Sequence, residues 1–377
     1  MKVLHLHPCF AYGGIESLLS TLGQSRGFAP ELQFEFGFCL TSRLVGELEN
    51  LGYKVSLLGT AKTRYPWQIL SLRKRLRMLL QSGGFDVVIC HSIWMMAVGA
   101  KVVRACGLPL VYWMHNNVPE GRHNLIERWA SGVSPDLVIC NSQFTAGSLG
   151  RQFKKLPPNE VIHCPVSPAP FQKLERSRRE DLRSELGAPP ETCVIIQVCR
   201  PEPWKGQRDL LEAAALLPRD GKWQVWMVGG ASTPVQEHWL SDLVKLAGER
   251  GMSERIKFLG SRIDVPELLA AADVFCQPNS TPEPFGLVFA EALFCGLPVV
   301  SYRHGGVVEI VDETCAVLVP AGDRQSLSGA LLSLIVNPAL RETMAPAARA
   351  RGEKVCHPRH ILPQVARALQ RAGQTNS

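Results

Sequence analysis

The alternation of short apolar runs with amphipathic stretches is the feature that most limits the fold of this chain. Helical patterns separate most of the apolar runs, and the connections are short. Such alternation is typical of parallel sheets covered by helices on both faces. Because 377 residues exceed one ordinary core, we predict an α/β protein with two doubly wound domains that face each other across a cleft. The candidate strands are 2–6, 34–39, 54–58, 86–90, 109–113 and 136–140, then 193–198, 223–228, 255–258, 273–276, 298–301 and 315–318.

A cluster of prolines divides the two series of strands. It lies within residues 157–170, where neither a helix nor a central strand continues through proline. We predict an N-terminal domain at 1–166 and a C-terminal domain at 167–350. The segment 351–377 is expected to pack back on the N-terminal domain. Its last residues, 372–377, have the composition of a frayed end.

The net charge of +7 is carried entirely by the N-terminal domain, because residues 1–166 hold 17 Lys and Arg against 10 Asp and Glu. An anionic membrane surface, a phosphorylated substrate or a nucleic acid would each suit this excess. Aromatic residues are not interleaved with the basic ones, which disfavours nucleic acid. A phosphorylated or lipid-linked partner is therefore the better match.

The cysteines and the apolar runs indicate the cellular compartment. The 12 cysteines are scattered and never form a Cys-x-x-Cys pair. They are expected to be reduced core thiols rather than disulfides or metal ligands. The longest apolar runs are only strand-sized, and a strand at 2–6 leaves no room for a secretory signal peptide. We therefore predict a cytoplasmic protein.

The loop after the first strand of each domain carries groups suited to phosphate. Gly13 and Gly14 open a helix, where bare backbone N–H groups and the helix dipole can bind phosphate oxygens. A tight turn without a ligand explains the same glycines equally well. Arg200 and Lys205 lie on the corresponding loop of the second domain, where such a pair can clamp a diphosphate.

The segment 281–298 holds the most informative pattern. Glu283 lies on a proline-bounded loop, and Glu291 follows among apolar neighbours of the next helix. A carboxylate in such surroundings requires a partner, which a vicinal diol of a ligand would supply. A structural Arg–Glu pair is the alternative. The helix begins at Gly286, so its first N–H groups are expected to face phosphate oxygens.

His115 is a further candidate. It follows a predicted strand and precedes Asn116 and Asn117, a position where a packed core histidine is uncommon. We predict that it acts in the site. His7 and His91 also lie at strand ends and are weaker candidates.

Together these motifs resemble those of the large retaining glycosyltransferase family with the GT-B fold, glycosyltransferase family four, group 1. They stand in the family's order and span nearly the whole chain. The resemblance implies two Rossmann-like domains and transfer of a sugar from a nucleotide-sugar to an acceptor with retained anomeric configuration. The matching motifs are Gly13-Gly14-Ile15-Glu16, Arg200…Lys205-Gly206, Glu283-Pro-Phe-Gly-x4-Glu291-Ala and Gly305-Gly306-x-x-Glu309.

The resemblance also implies a role for each site residue. Arg200 and Lys205 would bind the diphosphate, and Glu291 would bind the ribose hydroxyls. Glu283 would hold hydroxyls of the donor sugar, and His115 would lie near that sugar. These roles make Glu283, His115, Arg200 and Lys205 the proposed catalytic set. Gly14 would approach the phosphates, and Gly286 and Leu287 would donate N–H groups to them. Gly13 and Phe285 complete the expected donor-binding set.

No metal ion and no separate cofactor are expected. Asp-x-Asp is absent, and Arg200, Lys205 and a helix dipole can neutralise a leaving diphosphate. The expected donor is a UDP-sugar, with a GDP-sugar second, and the acceptor is a hydroxyl compound. Front-face attack by that hydroxyl is the simplest mechanism. The alternatives are a nucleotide-sugar epimerase or sugar-phosphate phosphorylase of the same fold, and a catalytically idle binding subunit.

Residues 64–80 form a predicted basic amphipathic helix. We expect its apolar face to pack on the sheet, which leaves the basic residues solvated. A helix of this kind can also lie on an anionic bilayer, so peripheral contact with the inner face of the membrane is the alternative. The apolar residues are Ile69, Leu72, Leu76, Leu79 and Leu80; the basic ones are Arg73, Lys74, Arg75 and Arg77, with Tyr65 and Trp67 at the start.

Overall fold

The computed structural model describes residues 1–9, 13–121 and 124–374. The chain forms two compact units. Unit 1 comprises Met1–Ser167 and Cys356–Ser377, and unit 2 comprises Pro168–Val355. Each unit is built on one parallel sheet with helical crossovers, so the predicted α/β class with two doubly wound domains is confirmed.

The described part of unit 1 contains a parallel sheet of seven strands in the order β3-β2-β1-β4-β5-β6-β7. The order reverses between β1 and β4, which is where open α/β sheets bind ligands at the carboxyl ends of their strands. The strands are β1 Lys2–His7, β2 Gln33–Phe38, β3 Val55–Leu57, β4 Val87–Cys90, β5 Leu110–Met114, β6 Leu137–Cys140 and β7 Asn159–Val161. The helices up to residue 167 are α1 Gly14–Gln24, α2 Arg43–Asn50, α3 Pro66–Gly83, α4 Ile93–Ala105, α5 Leu125–Ala130, α6 Gln143–Ala146 and α7 Leu149–Gln152.

The described part of unit 2 contains a parallel sheet of six strands in the order β10-β9-β8-β11-β12-β13, which reverses between β8 and β11. The loops after these two strands carry five of the predicted site residues, namely Arg200, Lys205, Glu283, Phe285 and Gly286. The strands are β8 Cys193–Val198, β9 Trp223–Val228, β10 Ile256–Gly260, β11 Val274–Cys276, β12 Val299–Tyr302 and β13 Ala316–Val319. The helices are α8 Arg176–Glu185, α9 Gln207–Ala214, α10 Pro234–Glu249, α11 Val265–Ala271, α12 Leu287–Cys295, α13 Val307–Ile310, α14 Arg324–Val336 and α15 Pro338–Cys356.

The last helix, α16 (Pro358–Gln374), returns to unit 1 and packs on α1, β4 and β5. Apolar residues at helical spacing, from Ile361 through Leu369, are buried in this contact. The expectation of a frayed end from residue 372 is wrong for 372–374. Ala372 is buried on the same apolar face, so the helix continues to Gln374. Residues 375–377 lie outside the described residues.

Helix α3 packs on the sheet of unit 1 as predicted, because Ile69, Leu72, Leu76 and Leu80 are buried. The expectation that its basic residues are all solvated is wrong. Arg73 Nε donates to the Val98 carbonyl at 2.9 Å, and Arg75 Nε donates to the Leu58 carbonyl at 2.5 Å. Both guanidinium groups donate hydrogen bonds to carbonyls of neighbouring segments. These two side chains therefore stabilise the packing of α3 and do not belong to its solvent-exposed face.

The solvent face of α3 carries apolar and basic side chains together. Trp67, Leu70 and Met78 are each more than half exposed, and the exposed Lys74 and Arg77 lie between them on the same side of the helix. Among the described helices, none combines the length and the apolar character that a membrane span requires. These five exposed residues define a surface that is named here the α3 face.

A capping residue defines the start of helix α5. The helix begins at Leu125. Asn124 is the reason, because its side chain accepts the Glu127 N–H while the Glu127 carboxylate accepts the Asn124 N–H. This reciprocal cap fixes the first helical residue.

Candidate active site

An ion pair in unit 2 lies where the loops after β8 and β11 meet. Lys205 Nζ lies 2.6 Å from Glu283 Oε1, with side-chain exposures of 12% and 15%. The Lys205 ammonium also lies 3.9 Å from the ring centroid of Trp204. Two residues far apart in the sequence, both predicted for the site, are thus in direct contact. A pair that is so well shielded from water holds its charges in fixed positions.

Three buried amide side chains that were not predicted hold this pair. Asn279 Nδ2 donates to Glu283 Oε2 at 2.5 Å. Gln277 Nε2 donates to Asn279 Oδ1 at 2.6 Å and to the Lys205 carbonyl at 3.0 Å, and Gln197 Nε2 donates to the same carbonyl at 2.9 Å. Amides within β8 and after β11 were a visible signal, because a polar side chain in an apolar strand needs a buried partner.

Glycines allow the loops around Glu283 to approach one another closely. Gly206 has φ of +72°, and a Cβ there would lie 1.8 Å from the Pro278 carbonyl oxygen. A Cβ on Gly306 would lie 2.4 Å from the Pro284 carbonyl oxygen. The Gly306 N–H donates to the Glu283 carbonyl at 2.8 Å. The glycines of two predicted motifs therefore serve close backbone packing at this site.

Helix α12 begins beside the ion pair. Gly286 precedes its first residue with φ of +94°, and a Cβ on Gly286 would lie 3.4 Å from Glu283 Cδ. The start of α12 at Leu287 therefore lies beside the Glu283 carboxylate. Phe285 is 2% exposed, so its ring belongs to the core and only its backbone can approach a ligand. This arrangement provides helix N–H groups for an anion next to Lys205.

Glu291 lies four residues beyond Leu287, on the same face of α12, and is partly buried. No other described residue forms a hydrogen bond or ion pair with its carboxylate, so the structural Arg–Glu pair considered above is not formed within the described chain. Burial raises the pKa of Glu291 to about 7. A partly ionised acceptor at neutral pH, without a protein partner, suits a ligand hydroxyl.

Arg200 is more loosely held than Lys205. Its side chain is 58% exposed and lies 3.3 Å from Glu202 Oε1. The Arg200 carbonyl accepts a hydrogen bond from Gln207 Nε2 at 3.0 Å, which fixes the backbone of the loop. An exposed ion pair contributes little to stability, so the guanidinium can exchange its partner for an anionic ligand at small cost.

In unit 1 the predicted glycine loop is partly satisfied by its own helix. The Gly13 N–H donates to Glu16 Oε2 at 3.0 Å, and Glu16 Oε1 lies 2.8 Å from His7 Nε2. Glu16 and His7 are buried, whereas Gly14, the first residue of α1, is exposed. The Gly13 N–H is thus already paired, and the exposed start of the helix at Gly14 is the part that a ligand can approach.

His115 lies directly after β5 and is partly buried. Its Nε2 lies 3.0 Å from His91 Nδ1, and its carbonyl accepts a hydrogen bond from Asn141 Nδ2 at 3.2 Å. Burial, assisted by the nearby His7, lowers the pKa of His115 to about 3, so the ring is neutral at pH 7. Two of the predicted histidines, His91 and His115, are therefore in contact through their rings.

Models of two glycosyltransferase families match the chain. The model for glycosyl transferases group 1 matches residues 178–351, and the model for glycosyltransferase family 4 matches residues 25–169. The D-inositol 3-phosphate glycosyltransferase of Salinispora arenicola is 30% identical over 318 residues, which cover 77% of this chain and 70% of that protein.

Solved structures resemble the whole chain. Anabaena Alr3699/HepE in complex with UDP superimposes with a TM-score of 0.85 and 26% identity, covering 98% of this chain and 100% of that one. Its complex with UDP-glucose matches with a TM-score of 0.85, 27% identity and the same coverage. The two sheets, the paired motifs and these matches lead to one conclusion: the chain is a glycosyltransferase of family 4, group 1, with the GT-B fold.

Proposed function

We propose that this chain transfers a hexose from a UDP-sugar to a hydroxyl acceptor with retention of anomeric configuration. The observation that carries the proposal is the contact of Lys205 with Glu283 beside the first turn of α12, with Glu291 unpaired within the described chain on the same helix. A cation, a helix N-terminus and two carboxylates are the groups that a nucleoside diphosphate sugar needs.

Each group has a proposed role. Lys205, Arg200 and the N–H groups at the start of α12 bind the diphosphate and stabilise it as it leaves. Glu291 accepts hydrogen bonds from the ribose diol. Glu283, fixed by its two donors, accepts hydrogen bonds from hydroxyls of the transferred sugar. In unit 1 we propose that His115 binds the transferred sugar and that the backbone at Gly14 approaches the phosphates.

A UDP-sugar is the favoured donor, because the Anabaena structures contain UDP and UDP-glucose. A GDP-sugar is second, since a relative from Corynebacterium glutamicum, 30% identical over 232 residues, is named a GDP-mannose-dependent mannosyltransferase. The name of the Salinispora relative makes a phosphorylated polyol the first acceptor to test. The excess positive charge of residues 1–166 agrees with an anionic acceptor.

We further propose that the reaction needs no metal ion. The leaving diphosphate carries negative charge that Lys205, Arg200 and the dipole of α12 can offset. Within the described residues, no group of three or more His, Cys, Asp or Glu is arranged to hold a metal ion. The Glu283 carboxylate is occupied by Lys205 and Asn279, which makes it a poor nucleophile and disfavours a covalent sugar intermediate on it. The acceptor hydroxyl then attacks from the face that the diphosphate leaves, and this attack retains the anomeric configuration.

The α3 face supports a peripheral membrane site for a lipid-linked acceptor. Exposed tryptophan, leucine and methionine side chains can enter the interfacial region of a bilayer, and Lys74 and Arg77 can attract anionic headgroups. Each basic residue near such a surface contributes about 1 kcal/mol.

The direct test is to incubate the protein with UDP- and GDP-sugars, with and without inositol phosphates, and to follow the products by NMR. We expect nucleoside diphosphate release that depends on the acceptor, with a product of the same anomeric configuration as the donor. Interconversion of the UDP-sugar without an acceptor would indicate the epimerase instead. Binding without turnover, under all donors and acceptors, would indicate an idle subunit.

A further inference from the structure

Three histidines of unit 1 form a hydrogen-bonded chain that begins in the core and ends at His115. His5 lies in β1, and His91 and His115 directly follow β4 and β5. The parallel register of these neighbouring strands brings their carboxyl ends together. Side chains alternate between the two faces of each strand, and in this register His5, His91 and His115 all point to the same face. The opposite face carries Leu4 and Cys90 of the apolar core.

The three rings are joined nitrogen to nitrogen. His5 Nδ1 lies 2.9 Å from His91 Nε2, and His91 Nδ1 lies 3.0 Å from His115 Nε2. Neighbouring rings are nearly parallel, with interplanar angles of 20° and 12°. His5 and His91 are almost fully buried, at 0% and 1% exposure. Burial lowers the pKa of His5 to about 3 and that of His91 well below its ordinary value, so these rings are neutral at pH 7.

A neutral imidazole has one N–H and one acceptor nitrogen, so each ring of the chain constrains the next. Two complete sets of tautomers satisfy both hydrogen bonds. In the outward set, His5 donates to His91, His91 donates to His115, and His115 keeps its hydrogen on Nδ1. In the inward set every hydrogen bond is reversed, and His115 keeps a lone pair on Nδ1.

The inner end of the chain favours the outward set. His5 Nε2 is buried without a hydrogen-bond partner in the part of the chain that the structure describes. The His5 ring lies between Phe34 and Phe36, with centroid distances of 4.9 and 5.3 Å. The inward set would leave an N–H group unsatisfied there, whereas the outward set leaves only a lone pair. Orphaned buried N–H groups are the rarer defect in folded proteins.

We propose that His91, supported by His5, is a positioning residue that holds His115 in the Nδ1–H tautomer, so that His115 presents a hydrogen-bond donor to the ligand. Nδ1 of His115 is the ring nitrogen that the chain leaves unused, and it forms no hydrogen bond with the described residues. That the ligand is the transferred sugar rests on the proposed function, whereas the tautomer of His115 does not. His91 itself touches no substrate.

The first test reads the tautomer directly, on the full chain without ligand. Proteins labelled with ¹⁵N-histidine are compared by long-range ¹⁵N–¹H correlation, with the His115 signals assigned from their loss in His115→Gln. We expect a neutral Nδ1–H ring in the wild type. His91→Leu should move His115 towards Nε2–H, and His91→Asn should restore Nδ1–H, because its amide can donate at the position of Nδ1. His238→Gln, at an exposed site in unit 2, is the control and should change nothing at His115.

A second variant guards against loss of folding in His91→Leu. His91→Phe keeps a ring of similar size beside Trp113 and His115 and removes the donor to His115 Nε2. It should likewise move His115 towards Nε2–H in a folded protein. An Nε2–H ring at His115 in the wild type, or the same His115 signals in wild type and in both folded variants, overturns the proposal.

The second test is kinetic. Loss of one neutral hydrogen bond to the sugar predicts about a 3- to 10-fold fall in kcat/KM for the donor in His91→Leu, with partial recovery in His91→Asn. Affinity for UDP, which lacks the sugar, should not change. An equal loss of UDP affinity would show general damage and overturn the positioning role. If the wild type transfers no sugar at all, the proposed function fails, whereas the tautomer spectra still test whether His91 sets the tautomer of His115.

Discussion

The shifted pKa of Glu291 leads to a quantitative prediction about donor binding. With a pKa of about 7, raised by burial, the carboxyl is about one-tenth ionised at pH 6 and about nine-tenths ionised at pH 8. Charge-assisted hydrogen bonds to the ribose diol are worth roughly 1.5–3 kcal/mol, or about 10- to 150-fold in affinity. The contribution of Glu291 should therefore strengthen UDP binding by about 5- to 10-fold between pH 6 and pH 8.

Isothermal titration calorimetry of wild type and Glu291→Gln measures this difference. The β-phosphate of UDP also titrates near pH 6, but it affects both proteins alike, so the ratio of their affinities isolates Glu291. A second ligand, 2′-deoxy-UDP, lacks one hydroxyl of the diol. It should weaken binding to the wild type and have little further effect on Glu291→Gln, as in a double-mutant cycle. Parallel pH dependence in both proteins, or full additivity of the two changes, would refute the role of Glu291.

The same pKa predicts a cost in stability. The folded protein binds more protons than the unfolded chain between the ordinary pKa of 4.5 and about 7, so this group lowers stability as pH rises through that range. Without ligand, Glu291→Gln should therefore have a higher Tm than the wild type at pH 8 and a similar or lower Tm at pH 4. Differential scanning fluorimetry checks this sign, and a lower Tm of Glu291→Gln at pH 8 would contradict it.

Three further outcomes are expected. Glu283→Gln should lower kcat by about 10- to 100-fold with a smaller change in KM, because a charged acceptor for the sugar hydroxyls is lost; steady-state kinetics measure both, and a change in KM alone would argue against this role. Transfer should persist in EDTA, and complete loss with rescue by Mg²⁺ or Mn²⁺ would disprove metal independence. Lys74→Glu/Arg77→Glu should reduce co-sedimentation with anionic liposomes at low salt, whereas the matched pair Lys222→Glu/Lys245→Glu in unit 2 should not; equal pelleting of both would exclude the α3 face.

The strands and the main site loops could be predicted because their signals are local. A buried parallel strand appears in the sequence as a short apolar run, and such a run marks every described strand except β7. That edge strand has only three residues, Asn159–Val161, and none of them is fully buried. Helix α2 gives a similarly weak signal, since only Leu44, Val45 and Leu48 of its residues are buried. Short elements give too few residues for a periodic pattern.

Contacts between distant side chains could not be predicted. The sequence indicates that Lys205 and Glu283 belong to one site, but not that Gln197, Gln277 and Asn279 hold them. Amides in and after apolar strands indicate that buried partners are needed, but the identity of those partners depends on the register of β8 and β11. The packing roles of basic residues in α3 were hidden for the same reason. Helical spacing places a residue on a face, but a long side chain can reach a carbonyl of another segment.

The return of α16 to unit 1 determines the order in which the two units can fold during synthesis. Unit 2 is continuous from residue 168 to 355, so all of it has been made before α16 exists. Unit 1 lacks the helix that covers β4 and β5 until residues 358–374 leave the ribosome. We therefore expect the second half of the chain to reach its native state first, while the nascent first half keeps apolar sheet surface uncovered. A stop codon shortly before residue 358 would leave unit 2 intact and make unit 1 a target for chaperones and proteases.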